Sequence, residues 1–357
     1  MSSALTDLLP RPIVQAPMAG GVSRPLLAAA VSDAGGLGFL AAGYKTADGM
    51  YQEIKELRSL TARPFGVNVF MPQPEYADPA VVAVYGHQLA GESAWYDTEL
   101  GDPDHGRDDG YDAKLAILVD DPVPVVSFHF GCPTPGVLDS LRKVGTVTLV
   151  TATTPEEALA VERAGADGVI VQGIEAGGHQ GTHRDTTEHD GTGIGLLTLV
   201  ARVREAVELP VVATGGLMRG SQIAAVLAAG ADAAQLGTAF LPTPESGAHL
   251  LHKHALTDPL YARTELTRAF TGRPARGLVN RFLREHGPYA PAAYPQVHHL
   301  TAGLRKAAAR AADPQGMALW AGQGHRLARE MPAGQLMDVL YDELADAAET
   351  LAFGRAS

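Results

Sequence analysis

Ala164-Gly165-Ala166-Asp167 leads directly into Gly168-Val169-Ile170-Val171-Gln172, and the chain then breaks into Gly173-Ile174-Glu175-Ala176-Gly177-Gly178-His179-Gln180-Gly181. The apolar, β-branched run reads as a buried strand. The joint before it recurs as Ala229-Gly230-Ala231-Asp232 and, more loosely, as Asp33-Ala34-Gly35-Gly36. A repeated helix-to-strand joint implies repeated βα units on a parallel sheet. Outward from this stretch, further strands are expected at Ile13–Pro17, Leu37–Ala42, Phe65–Phe70, Pro124–Phe130, Thr146–Val150, Pro210–Thr214 and Asp232–Leu236. Eight strands over this length match a (β/α)8 TIM barrel. The competing open, doubly wound sheet usually carries Gly-x-Gly-x-x-Gly after its first strand. Here that turn reads Ala16-Pro17-Met18-Ala19-Gly20-Gly21, which does not match.

Helix signals fill the intervals. Ser23 is placed to cap a helix running to Asp33, and Tyr51–Leu60, Val137–Lys143, Leu196–Val207 and Ser221–Ala229 are helical by pattern. Thr154-Pro155-Glu156-Glu157 carries an N-cap, a first-turn proline and a capping-box glutamate. The rhythm lapses over 71–121, which is too long for a βα loop. The expected division is a barrel over 1–70 and 122–243, an insertion over 71–121 with helical pieces covering one face, and a helical extension over 244–357. In that extension Glu245–Leu256, Ala302–Ala312 and Gln335–Leu351 read as helices, and Ala269–Gly277 as a basic loop.

Composition narrows the function classes. The chain has 357 residues, 46% of them hydrophobic, enough for a large α/β core, and a formal net charge of -12. That charge argues against nonspecific binding to nucleic acid or anionic membranes. The single cysteine, Cys132, excludes an internal disulfide and fits a reducing compartment. No apolar run reaches the ~18 residues of a membrane span, and Met1–Pro10 has no signal pattern. A cytoplasmic protein is expected; a homodimer is left open.

Chemistry in such a barrel sits at the C-terminal ends of the strands. Pro17, Met18, Asn68, His129, Gln172 and His179 fall there. Thr214-Gly215-Gly216 and Gln235-Leu236-Gly237-Thr238 follow the last two strands, where this architecture often binds phosphate. Glycines bring bare N–H groups to an anion, and Thr238 adds a hydroxyl. The plainer alternative is tight turns without a ligand. A phosphate at one side and amides (Asn68, Gln172) across the mouth suit FMN, and a phosphosugar would use a similar cradle.

The chain resembles the nitronate monooxygenase family, once called 2-nitropropane dioxygenases. The resemblance rests on Gln15-Ala16-Pro17-Met18-Ala19-Gly20-Gly21, Ser32-Asp33-Ala34-Gly35-Gly36-Leu37-Gly38-Phe39, Gly66-Val67-Asn68, Gln172 to His179, Thr214-Gly215-Gly216 and Gln235 to Thr238. In the tail it rests on Phe270 to Gly277 and on Trp320-Ala321-Gly322-Gln323-Gly324. It implies FMN contacts from Pro17, Met18, Asn68, Gln172, Gly177, Gly215, Gly216, Gln235, Gly237 and Thr238, with His179 as the catalytic residue facing substrate. It implies oxidation of alkyl nitronates, propionate 3-nitronate foremost, with O2, giving an aldehyde or ketone plus nitrite and using neither nicotinamide nor metal. Protonated His179 would attract an anionic nitronate; neutral His179 would remove the α-proton of a nitroalkane.

Two other readings stand beside it. Flavin-dependent enoyl-acyl-carrier-protein reductases and NADH:quinone reductases share the glycine-flanked histidine. A phosphate-ligand binding protein without turnover would be colourless. Several features are set aside: His249, His252 and His254 as a solvated helix, His298-His299 as a polar turn, Cys132 as a small buried residue. Tyr294 and Arg273 are weighed between the mouth and the surface.

Overall fold

The structure, a computed structural model, describes residues 4–73, 77–106, 108–187 and 193–353. Parts of the stretches expected as the N-terminal segment (1–3), the insertion (74–76, 107), the polar loop His183–Gly193 (188–192) and the extension (354–357) lie outside the described residues. The barrel strands are β1 (Ile13–Gln15), β2 (Gly38–Ala41), β3 (Phe65–Phe70), β4 (Val125–His129), β5 (Val147–Ala152) and β6 (Gly168–Gln172). After a two-residue strand, β7 (Gly178–His179), come β8 (Val211–Thr214) and β9 (Ala233–Leu236). The barrel sheet has the order β1-β9-β8-β6-β5-β4-β3-β2, with every pair parallel. Leu37 N–H donates to Ile13 O (3.1 Å) and Gln15 N–H to Leu37 O (3.0 Å), which joins the two ends into a (β/α)8 barrel.

Side-chain alternation along these strands decides where the site lies. Val169 and Val171 pack outward with Val211 and Ala213 in the layer under the helices. Ile170 and Val212 face inward with Val14, Phe39, Leu149 and Ala233, over Leu5 from the N-terminal segment. With a period of two, the inward row continues upward through Gln172, Thr214, Gln235, Asn68 and His129. The lower barrel is therefore an apolar plug and the upper barrel a ring of polar side chains.

Around the strands run α1 (Pro25–Asp33), α2 (Ala47–Leu60), then α3 (Pro79–Gln88), α4 (Ala90–Trp95) and α5 (Tyr111–Asp120) of the insertion, then α6 (Pro135–Lys143), α7 (Pro155–Ala164), α8 (Leu196–Ala206) and α9 (Gly220–Ala228). The tail holds α10 (Leu250–Ala255), β10 (Thr264–Thr267), β11 (Ala275–Leu278), α11 (Arg281–His286), α12 (Gln296–Arg310) and α13 (Ala333–Phe353). Among the described residues no helix is long and apolar enough to cross a membrane.

Several local expectations are corrected. Ser23 does not cap α1: its hydroxyl accepts from Met18 N–H (2.9 Å) and Gln15 Nε2 (2.9 Å), closing the first loop, and the helix starts at Pro25. Thr154 caps α7, accepting from Glu157 N–H, but the Glu157 carboxylate takes Thr153 N–H (2.7 Å) and His183 N–H (2.7 Å). Glu245–Leu256 is helical only from Leu250, because Gly247 N–H is tied to Val22 O (2.9 Å). The tail is not purely helical. The second half of the basic loop is β11, which pairs antiparallel with both β10 and β7. The loop carrying His179 is thus a strand of a second sheet.

The insertion and the tail pack on each other through Val82, Tyr85, Leu89, Phe270, Phe282 and Leu300. Arg281 joins them by a bidentate pair with buried Glu92. A second tether fixes the insertion to the barrel. Lys114, fully buried, reaches Asp109 Oδ2 (2.6 Å) and Ala42 O (3.0 Å), while Asp109 Oδ1 accepts from Tyr44 N–H (2.9 Å). Removing one partner of a buried pair strands the other charge. Lys114→Met is expected to cost about 2 kcal/mol, less than the full penalty because Asp109 is partly exposed; urea unfolding checks it, and an unchanged midpoint would contradict it.

Candidate active site

A cavity of about 1130 Å³ opens at the upper end of the barrel. Sites for one small ligand span ~300–1,000 Å³, so this one has room for a cofactor and a substrate together. Pro17, Met18, Asn68, Gln172, Gly177, His179, Gly215, Gly216, Gln235, Gly237 and Thr238 all line it. The structure brings together every site residue expected from the sequence.

One end is built of backbone. Gly215 and Gly216 have φ of 135° and 70°, conformations that side-chain-bearing residues rarely adopt. Among the described residues nothing accepts from the N–H groups of Gly215, Gly216, Gly237 or Thr238. Thr238 Oγ1 accepts from Gly322 N–H (3.0 Å), which leaves its own proton free to donate. Such a set of donors matches an anion such as phosphate.

The amides divide by role. Asn68 Nδ2 donates to Ser127 Oγ (3.0 Å) and Ser127 O (3.2 Å), leaving its carbonyl for the cavity. Gln235 Oε1 is buried without a partner, a costly state unless a ligand donates to it. Gln172 is used at both ends: Nε2 donates to His179 O (3.0 Å) and Oε1 accepts from Gly181 N–H (2.7 Å). It pins the histidine loop from within the barrel, as β11 pins it from the tail.

His179 sits among Phe130, Tyr294 and Trp320, with ring centroids at 5.5, 5.8 and 5.7 Å. Its Nε2 lies 2.9 Å from Thr271 Oγ1, and Nδ1 has no partner among the described residues. Burial, then His129 and the guanidinium groups of Arg273 and Arg305, push its pKa well below 6.5. His129 is likewise pushed down to about 3, by burial first and then Arg273. Both imidazoles are therefore neutral at pH 7. Both shifts favour the neutral form of the ring.

Other residues differ from expectation. Arg273 and Tyr294 are buried behind His179, not at the surface. Arg273 stacks 4.2 Å from the centre of Phe130 and donates to Gln73 Oε1 (2.6 Å) and to Thr182. His252 is buried, its Nε2 2.9 Å from Trp320 O; His249 and His254 are exposed. His298 lies in α12, stacked on Tyr44 at 3.8 Å, and lines the cavity. Cys132 is half-buried, and burial pushes its thiol up to about 11, which disfavours the reactive thiolate. Tyr44, His298 and Arg305, which line the cavity, and Thr271, which holds His179 from behind, were not anticipated, since only packing of distant segments brings them there.

The comparisons with known proteins agree with this geometry. The family model for nitronate monooxygenase matches residues 2–343. A nitronate monooxygenase of Pseudomonas aeruginosa is 44% identical, over 96% of this chain and 99% of that one. One from Paraburkholderia phytofirmans is 40% identical, over 96% and 94%. Among solved structures, nitroalkane oxidase from Streptomyces ansochromogenes superposes with a TM-score of 0.96 at 78% identity, over 98% of this chain and 100% of that one. FabK from Thermotoga maritima is more distant, with a TM-score of 0.76 and 30% identity over 99% of both. With a barrel, a cavity and a half-buried histidine in place, these matches assign the chain: it is an oxidoreductase that belongs to the nitronate monooxygenase family.

Proposed function

We propose that the chain is an FMN-dependent nitronate monooxygenase, oxidising alkyl nitronates, propionate 3-nitronate foremost, and their parent nitroalkanes with O2 to an aldehyde or ketone plus nitrite. The observation that carries this reading is an imidazole with one free nitrogen in the same cavity as an anion cradle. Unpaired Gln235 Oε1 and the open N–H groups beyond β8 and β9 fit a flavin ring and its phosphate. Bound FMN supplies the electron acceptor between the nitronate and O2.

The chain's own residues handle the proton and the geometry. Thr271 Oγ1 lies 3.3 Å from Arg273 O, which can only accept. The hydroxyl proton goes there, and Oγ1 accepts from His179 Nε2–H. Nδ1 then carries the lone pair and takes the α-proton, leaving the electron pair on the nitro group as a nitronate. Phe130, Tyr294 and Trp320 keep bulk water from the imidazole. The barrel over 1–70 and 122–243 holds the cofactor, and 71–121 with 244–357 form the substrate-side cover.

The depressed pKa sets a pH test. A base that must be neutral fails only below its own pKa, so kcat/KM for a nitroalkane should be on its plateau at pH 6.5, its acid limb lying lower. An acid limb centred at or above 6.5 would contradict a base held neutral by its surroundings. The reading as a whole is tested by the absorbance spectrum of the purified protein and by oxygen consumption with propionate 3-nitronate and ethylnitronate. A flavin spectrum with uptake on either supports it. A colourless protein, or rapid anaerobic bleaching by NADH or NADPH, would transfer it to the binding-protein or FabK-like alternative.

A further inference from the structure

The cavity has a second end, lined by residues of α12 and the Tyr44 loop, which the cofactor cradle does not use. Arg305 stands in it. A guanidinium carries five N–H donors. Nε donates to Thr301 Oγ1 (3.2 Å), and Nη2 to His298 Nδ1 (3.2 Å) and His298 O (2.9 Å). Both donors on Nη1 remain, and no carboxylate pairs with Arg305 among the described residues. Asp109 also lines this end, but its oxygens are held by Lys114 Nζ and Tyr44 N–H. Lys306 lines the same wall, exposed and without an ion-pair partner among the described residues.

The guanidinium is also held still. His298 accepts from it through a neutral Nδ1, and its ring lies flat against Tyr44 at 3.8 Å with 7° between the planes. Tyr44 in turn meets Tyr294 Oη (3.4 Å), whose ring touches His179. One run of contacts thus links the unpaired cation to the base. A fixed cation whose Nη1 keeps two donors free suits an anionic oxygen such as that of a carboxylate.

We propose that Arg305, with Lys306 beside it, is an anion subsite at the substrate end of the cavity, selecting nitro compounds that carry a carboxylate a few carbons from the reacting carbon. This rests on the reading of the cavity as a nitronate-oxidising site. The carboxylate seats on Arg305 while the carbon next to the nitro group reaches His179.

The test compares 3-nitropropionate with 1-nitropropane, which share a three-carbon chain and differ in the carboxylate. Binding to the FMN-loaded protein is measured by anaerobic calorimetry, and kcat/KM by oxygen consumption. The natural protein should favour 3-nitropropionate by about 10–100-fold, the worth of one charge-assisted contact, and the preference should shrink with added salt. Arg305→Gln should collapse the ratio, Arg305→Lys retain part of it, and Lys306→Gln reduce it only slightly. A natural protein with a ratio near one, or an Arg305→Gln ratio that does not move, overturns the subsite. Should neither compound be oxidised while the calorimetric preference still depends on Arg305, the subsite stands and the proposed reaction falls. Oxidation of both without preference leaves the reaction and removes the subsite.

Discussion

Replacing His179 with Asn yields a protein that keeps its flavin and oxidises nitroalkanes about 10²–10⁴ times more slowly, the usual contribution of a general base. Flavin is retained because the imidazole touches none of the cradle around Gly216, Gly237 and Thr238; its hydrogen bond is to Thr271. Asn can still hydrogen-bond to Thr271 but has no basic lone pair near neutral pH. The loss should be selective. A preformed nitronate has no α-proton to remove at the start, so its turnover should fall far less. Near-normal rates on both substrates would remove His179 from the chemistry, and equal losses on both would leave it a binding role only.

Gly177→Ala is the second large effect, and it acts through backbone. A Cβ at Gly177 would sit 2.5 Å from Gly322 N and 2.6 Å from Ala321 C, atoms that cannot rotate aside. Gly322 N–H donates to Thr238 Oγ1 (3.0 Å), and Gln323 N–H to Glu175 O (3.0 Å). Moving residues 321–323 therefore pulls on Thr238 in the cradle and on the loop that leads to His179. Overpacking of this kind costs about 3 kcal/mol. Spent on the cradle, it lowers FMN affinity by roughly 100-fold; spent on the fold, it lowers the urea midpoint. A variant with full flavin content and an unchanged midpoint would show that the 321–323 contact has no bearing on the site.

What could be read in advance follows a physical line. The barrel was legible because its strands are buried on both sides and its α-to-β joints repeat locally, as at Ala164–Asp167 and Ala229–Asp232. The cradle was legible for the same reason: Gly215, Gly216, Gly237 and Thr238 lie within two residues of their own strands. β7 and β11 were not, because Gly178 and His179 become a strand only by pairing with Ala275 and Arg276, nearly a hundred residues away. Arg273 could be read as lining the mouth or as lying at the surface, since nothing nearby in sequence shows Gln73, Thr182 and Phe130 closing around it. His298 looked like part of a turn because its ring partner, Tyr44, comes from the opposite end of the chain. The place of His179 at the end of its strand was legible, but the surroundings of its ring were not: they depend on Tyr294, Trp320, Arg273 and Arg305, all brought by the tail.

The cavity is polarised in this account, with the cofactor's phosphate at the glycine loops beyond β8 and β9 and a substrate anion at α12. A crystal structure of the flavin-loaded protein tests that most directly. The phosphate should accept from the N–H groups of Gly216, Gly237 and Thr238, with the flavin ring between Gln235 and His179. A phosphate seated instead on Arg305 and Lys306 would reverse the cavity and contradict the account.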